Sequence, residues 1–427
     1  MKTLLIKNGY VVNPADNFEG IADILIEDGV ISKVGEKLKD KADRTVDASG
    51  LTVFPGLVDL HVHLRDPGQE YKEDIATGSE AAAHGGITTL LAMPNTHPPM
   101  DSVSRISYVT NKARTDAHIK IYQASAITKN MSGEELVDIG ALVQSGVRAF
   151  SEDGKSVMSA GLLRAAMQKT AKLGVPIMAH CEDITMVRGG VMNDDENAKK
   201  MGLPGITPAA EEVIAARDCV LAHETGAQLH LCHCSTKGTI EILQAARNLG
   251  THVTGEVCPH HFLLSSSDIP CDDADYKVNP PLRTIEDVEA MKNAIKDGII
   301  DCISTDHAPH SMDEKERGFL SAPFGISGLE TSAALVYTEL VKTGFLTLSG
   351  MVEKMALNPA KVLHIDAGTL NPGAAADIAI FDFNEEYQIN PAKFLSKGKN
   401  TPFAGREVYG TVKYTVKNGN IVWGKRN

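Results

Sequence analysis

At 427 residues the chain is too long for one ordinary core and long enough for a large domain with a smaller companion. Its 43% hydrophobic and 23% charged residues are those of a globular chain, which excludes wholesale disorder. A formal charge of −13 excludes a general nucleic-acid binder, yet one arginine in a pocket still suffices for an anionic substrate.

No apolar run approaches the roughly 18 residues of a membrane span, so no membrane partner is expected. The opening segment Met1–Lys7 is broken by charge too early for a secretory core. Seven cysteines without framework spacing point to a reducing compartment, and a cytoplasmic location is expected.

In chain order, Leu4–Ile6, Ala22–Ile26 and Val30–Val34 read as strands, separated by Asn8-Gly9 and Glu27-Asp28-Gly29. Asx-Gly pairs supply the positive φ of tight turns. Eight apolar runs follow: Leu57–Leu60, Ile87–Met93, Ile119–Tyr122, Val147–Phe150, Val175–Ala179, Gln228–Cys232, His252–Val257 and Ile299–Ser304. Helical patterns lie between them. Ser132 with Glu135 reads as a capping box before Leu136, Thr207-Pro208 as a cap with proline at the first helical position, and Thr284 as the cap of a helix beginning at Ile285. Strand-like texture returns at Ala376–Phe383, Val412–Val416 and Ile421–Trp423. The pattern predicts a (β/α)8 TIM barrel over 55–368, with 1–54 and 369–427 pairing into one small β-sandwich domain. An open doubly wound sheet fits less well, because no Gly-x-Gly-x-x-Gly follows the first strand.

In a barrel, chemistry sits at the C-terminal ends of the strands. The residues at or just past the run ends are His61 and His63, Asn95, Asp153, His180, His233, His260 and Asp306. His61 and His63 are two apart, so a strand projects them to one face, where they can hold one transition metal. The same period sets His233 opposite Cys232 and Cys234, which argues against a thiolate site. Histidine and carboxylate donors suit a catalytic metal, with zinc the expected ion. Asp306 can ligate a metal and also move a proton, and Asp153 can bridge two metals. His84, His97, His118, His223, His230, His252 and His364 read as structural or surface residues, while His260 and His261 stay undecided.

Asp59-Leu60-His61-Val62-His63-Leu64-Arg65-Asp66-Pro67-Gly68 and Ser304-Thr305-Asp306-His307-Ala308-Pro309-His310 resemble the two signature segments of the dihydroorotase family, within the amidohydrolase superfamily. The resemblance runs over essentially the whole chain. It implies a reversible, zinc-dependent cyclisation of N-carbamoyl-L-aspartate to L-dihydroorotate, the third step of pyrimidine biosynthesis. One zinc would be held by His61, His63, Asp153 and Asp306, and a second by His180, His233 and the bridging Asp153. The resemblance implies that the related hydantoinases carry a carbamylated lysine where this chain has Ser151, which is why Asp153 is the expected bridge. Arg65 offers a planar fork matching the ring carboxylate, and Asn95 an amide donor beside it. The resemblance also assigns Asn279, His310, Phe324 and Gly325 to the substrate. It implies a homo-oligomer, with aspartate transcarbamoylase as a candidate partner. Allantoinase or hydantoinase activity and a non-catalytic scaffold are the alternatives. The charged, glycine-punctuated segment Ser311–Ala322 reads as a lid that closes on substrate.

Overall fold

The computed structural model describes residues 2–425. Both ends of the chain build one connected eight-stranded sheet. Its path runs Asn420–Trp423, Glu407–Lys417, Ile378–Gln388, Thr52–Pro55, Thr3–Asn13, Phe18–Glu27 and Val30–Gly35, and Arg44–Asp47 pairs alongside Thr3–Asn13. The two halves join where Thr52–Pro55 lies antiparallel to Ile378–Gln388, with Val53 opposite Ile380. A separate apolar cluster holds this sheet together: Ile6, Ile24, Ile31 and Val53 from the N-terminal part pack with Ile378, Ile380 and Val416.

The middle of the chain alternates parallel strands with helices. Leu57–Val62, Ile87–Ala92 and Lys120–Gln123 form one parallel group. Ser125–Ala126, Phe150–Ser151, Ile177–Ala179, Leu229–Leu231, Val253–Val257 and Cys302–Ile303 form a second, in sequential order. Only Ala124 separates Lys120–Gln123 from Ser125–Ala126, and at the far side Val62 bridges in parallel to His307. Strands buried on both faces need apolar residues at successive positions, which is why they appear in the sequence as continuous runs. Val58, Leu60, Leu91, Met93, Ala149, Met178 and Cys302 pack against one another between the strands. Leu57, Leu90, Ile177 and Leu229 pack with the helices. Among the described residues no helix is long and apolar enough to cross a membrane.

Two expected helix starts shift. The helix expected after Ser132 begins instead at Ile139, because Asp138 accepts the amide hydrogen of Ala141 and caps it, while 132–138 bend and Leu136 makes an isolated antiparallel bridge to Thr128. The helix Ala209–Thr225 starts one residue later than expected, with Pro208 as the residue preceding it. Thr284 does cap Ile285–Lys296, in a reciprocal pair with Asp287. The segment after Ser311 folds into two short helices, Met312–Lys315 and Gly318–Ser321. It is tied down by the Lys315 ammonium, which donates to the carbonyls of Lys277, Pro323 and Gly325 at 3.3, 3.1 and 3.0 Å.

Candidate active site

A register shift lies between Asp59 and Val62 in the strand Leu57–Val62. It changes the phase of the strand: Val58 and Leu60 pack in the interior cluster, whereas Val62 packs with the helix-facing core. His61 and His63 thereby turn to the interior at the strand's C-terminal end, a common use of bulges beside active sites. Their ring centroids are 5.4 Å apart.

Asp153 is the hub. Its Oδ1 lies 3.1 Å from His61 Nε2, 3.5 Å from His180 Nδ1 and 3.6 Å from His233 Nε2, and its Oδ2 is 3.5 Å from His63 Nε2. Asp306 Oδ1 lies 3.1 Å from His63 Nε2 and 3.6 Å from His61 Nε2. The six residues expected as metal ligands therefore meet in one place, with Asp153 between the two histidine pairs. All six are buried. His233 and Asp306 sit at φ 33° and 45°, and Arg65 at 58°, in the left-handed region that non-glycine residues rarely occupy.

The arrangement fits a divalent cation. Among the described residues, His61 Nε2, Asp153 Oδ1, His180 Nε2 and His233 Nδ1 are buried without a well-directed hydrogen-bond partner, which is costly unless something else meets them. Burial pushes Asp153 and Asp306 toward the neutral acid, but the surrounding imidazoles outweigh it and hold both below the usual carboxylate range. Two buried anions among imidazole nitrogens are the donor set of a catalytic transition-metal site. Two ligand groups, His61 with His63 and Asp306, and His61 with Asp153 and His233, bring their donor atoms within 4.8 Å of one another.

Several supporting residues escaped the sequence reading. Glu256 is fully buried and accepts a hydrogen bond from His61 Nδ1 at 3.0 Å and from Ser304 Oγ at 2.5 Å. His230 Nε2 stands 3.2 Å from Oε2, the oxygen that also accepts from Ser304. Asp59 accepts from Thr305 Oγ1 at 2.6 Å and from the His61 amide at 3.1 Å. Glu182 lies 3.7 Å from His180 Nε2 and accepts from Asn279 Nδ2 at 2.8 Å. A carboxylate within an otherwise uncharged strand is the signal that could have found Glu256. The alternation argument for the cysteines also fails, because the strand ends at Leu231. Cys232 approaches His61 and Glu256 to within 4.8 Å, although burial pushes its thiol well above the usual thiol range and out of thiolate chemistry. His260 and His261 lie buried next to each other, and His261 Nε2 donates to the Pro280 carbonyl at 2.8 Å.

Beside the cage is a cavity of about 160 Å³, lined by Arg65, Asn95, Asn279, Phe324 and Gly325 together with the cage residues. Arg65 is buried and forms no surface pair with Asp66, which is taken by Lys112 at 2.7 Å. Its Nε donates to the Pro309 carbonyl at 3.3 Å. Asn95 accepts from His63 Nδ1 at 2.9 Å, so it orients a cage histidine as well as lining the cavity. Gly325 is required by close approach: a Cβ there would meet the Ala308 carbonyl oxygen at 2.4 Å. His310 stands behind this wall, with Nε2 2.8 Å from the Phe324 carbonyl oxygen.

By comparison with known families the chain is an amidohydrolase, whose parallel strands end in a His/Asp cage able to hold a metal beside a small polar cavity. The Amidohydrolase family profile matches residues 148–423, and the Dihydro-orotase-like profile matches residues 50–239. L-hydantoinase (dihydropyrimidinase) from Arthrobacter aurescens superposes with a TM-score of 0.88 at 27% identity, covering 100% of this chain and 97% of its own. A dihydropyrimidinase from Brevibacillus agri gives 0.87 at 25%, covering 99% and 95%. Within that class the chain belongs to the dihydroorotase family. It is 47% identical to the dihydroorotase of Acetivibrio thermocellus, over 98% of both chains, and 47% identical to that of Ligilactobacillus salivarius, again over 98% of each.

Proposed function

We propose that this chain catalyses the reversible cyclisation of N-carbamoyl-L-aspartate to L-dihydroorotate and water, with zinc as its metal. The observation that carries the reading is a buried Arg65 guanidinium that has no carboxylate partner among the described residues and lines the same small cavity as the His/Asp cage. A plain dihydropyrimidine gives that cation nothing to pair with, whereas the ring carboxylate of dihydroorotate does.

His61, His63 and Asp306 would hold one zinc and His180 and His233 a second, with Asp153 shared between them. Metal bound there supplies Lewis acidity toward a carbonyl oxygen and brings the pKa of water toward neutrality. Arg65, with Asn95 and Asn279, anchors the acidic end of the ring, which sets the reacting amide against the cage. Asp306 accepts the proton of the attacking water and delivers it to the ring nitrogen as the amide opens, and it runs the same transfer backwards during cyclisation. The Phe324–Gly325 backbone closes the far side of the cavity and limits the ring that fits.

The same proposal covers the architecture around the site. The two parallel strand groups are read as one closed (β/α)8 barrel over 55–368, and 1–54 with 369–427 as a β-sandwich. The single sequential strand order and the Val62–His307 bridge support that reading. Seven free cysteines support a cytoplasmic location. A homo-oligomer with aspartate transcarbamoylase as a candidate partner belongs to it as well.

The test is turnover of N-carbamoyl-L-aspartate before and after chelation, followed by zinc readdition, with dihydrouracil and hydantoin as competing rings. Activity should vanish with the metal and return with zinc. Arg65→Lys should reduce turnover of dihydroorotate far more than that of dihydrouracil. Equal losses on both rings would remove the carboxylate role and favour the hydantoinase reading.

A further inference from the structure

The wall behind the cavity contains a histidine whose two nitrogens face different partners. Nδ1 of His310 lies 3.2 Å from Lys72 Nζ and 3.4 Å from Glu314 Oε2. Its Nε2 lies 2.8 Å from the Phe324 carbonyl oxygen and 3.3 Å from an Arg65 terminal nitrogen. Two complete hydrogen-bond patterns are therefore open to a neutral ring. With the proton on Nε2, the ring donates to Phe324 and accepts from Lys72. With the proton on Nδ1, it donates to Glu314 and accepts from Arg65.

These patterns differ in what they leave for a substrate. The second diverts an Arg65 N–H from the cavity and releases the Phe324 carbonyl. The first leaves that arginine hydrogen free, because a protonated Nε2 has no lone pair to accept it. An ammonium can only donate, and Lys72 is buried, with Nζ held between His310 Nδ1 and Glu314 Oε1 at 3.3 Å. Tyr71 fixes the same Glu314 oxygen through a 2.7 Å hydrogen bond. The doubly protonated ring is disfavoured too: burial and the Arg65, Lys72 and Lys315 cations push His310 down to about 2.

We propose that Lys72 is a positioning residue: it locks His310 in the Nε2–H tautomer and so keeps the Arg65 fork free for the substrate carboxylate. The consequence for substrate binding rests on the Arg65 reading above, whereas the tautomer itself does not. Lys72 lies in the segment after Leu57–Val62, and Glu314 in the helix Met312–Lys315. Their ion pair thus ties together the two segments that carry Arg65 and His310.

Nitrogen-15 NMR of zinc-loaded enzyme labelled at histidine tests this, with the His310 signal assigned by its loss in His310→Gln. The wild type should show the Nε2–H form. Lys72→Met should move the signal toward the Nδ1–H form, while Lys72→Arg, still an obligate donor, should keep the wild-type form. Lys72→Met should also raise KM for dihydroorotate about tenfold, the factor one weakened charge-assisted hydrogen bond carries, with a smaller change in kcat and little change for dihydrouracil. A wild-type ring found as Nδ1–H or as imidazolium would overturn the proposal. So would a tautomer unmoved in Lys72→Met, or a moved tautomer with KM unchanged. Arg65→Lys, assayed in parallel on the two rings, reports on the carboxylate reading separately.

Discussion

Replacing Glu256 with glutamine removes one negative charge behind the metal cage while leaving its shape. The carboxylate is fully buried and holds His61 through Nδ1, which directs Nε2 at Asp153 and Asp306. A glutamine carbonyl can still accept from His61, and its amide can donate to Ser304 Oγ, so the hydrogen bonds survive and the charge does not. Outer partners of metal-binding histidines are worth about ten- to a hundredfold in metal affinity, or roughly 1.4 to 2.7 kcal/mol. Glu256→Gln should therefore weaken zinc by that factor with little change in the melting temperature of the metal-free protein. Alanine is the contrasting variant, since it leaves the His61 N–H and the Ser304 hydroxyl buried without an acceptor, at a cost of about 2 to 6 kcal/mol. Competition of each protein with a chromophoric chelator, alongside thermal unfolding without metal, separates the two effects. Wild-type zinc affinity in Glu256→Gln would refute the reasoning, as would equal destabilisation by both substitutions.

Asp306→Asn should lower kcat by about 10²- to 10⁴-fold, the contribution of a positioned proton-transfer group, with unfolding little changed; retention of more than a tenth of wild-type turnover would sink the proton role. Lys315 gives a stability signature. Burial pushes its ammonium down to about 7 from 10.5. The unfolded chain therefore binds the extra proton throughout that window, and the cost of the buried charge is present in full below pH 7 and relieved as pH rises toward 10.5. Relative to Lys315→Met, the wild type should gain stability between those limits, read as a rising difference in urea midpoints; a flat difference would rule the effect out.

What could be read from the chain depends on how each feature is encoded. Strands buried on both faces must be apolar, so the runs and the polar residues ending them were visible, and His61, His63, Asp153, His180, His233 and Asp306 followed from that single rule. Glu256 lay hidden because it sits inside one of those runs, where the rule expects nothing polar. Lys72 was hidden for the opposite reason: a lysine in a charged loop looks solvated, and only the fold reveals it buried against His310. Ser132 and Glu135 had the spacing of a capping box, but Asp138 captured the helix start. Alternation misjudged Cys232 because it was carried past Leu231, into backbone where His233 takes a positive φ.

The strand Thr52–Pro55 has its antiparallel partner more than three hundred residues further on, in Ile378–Gln388. During synthesis the first strands leave the ribosome with one edge open, and that edge waits until nearly the whole chain has emerged. Closure of the small sheet is thus a late, long-range event whose rate is governed by how compactly the intervening helices and strands have already folded. The final strands act as a length check on the product. A chain cut short just before Ile378 possesses every cage residue, yet it exposes a sticky β edge open to aggregation.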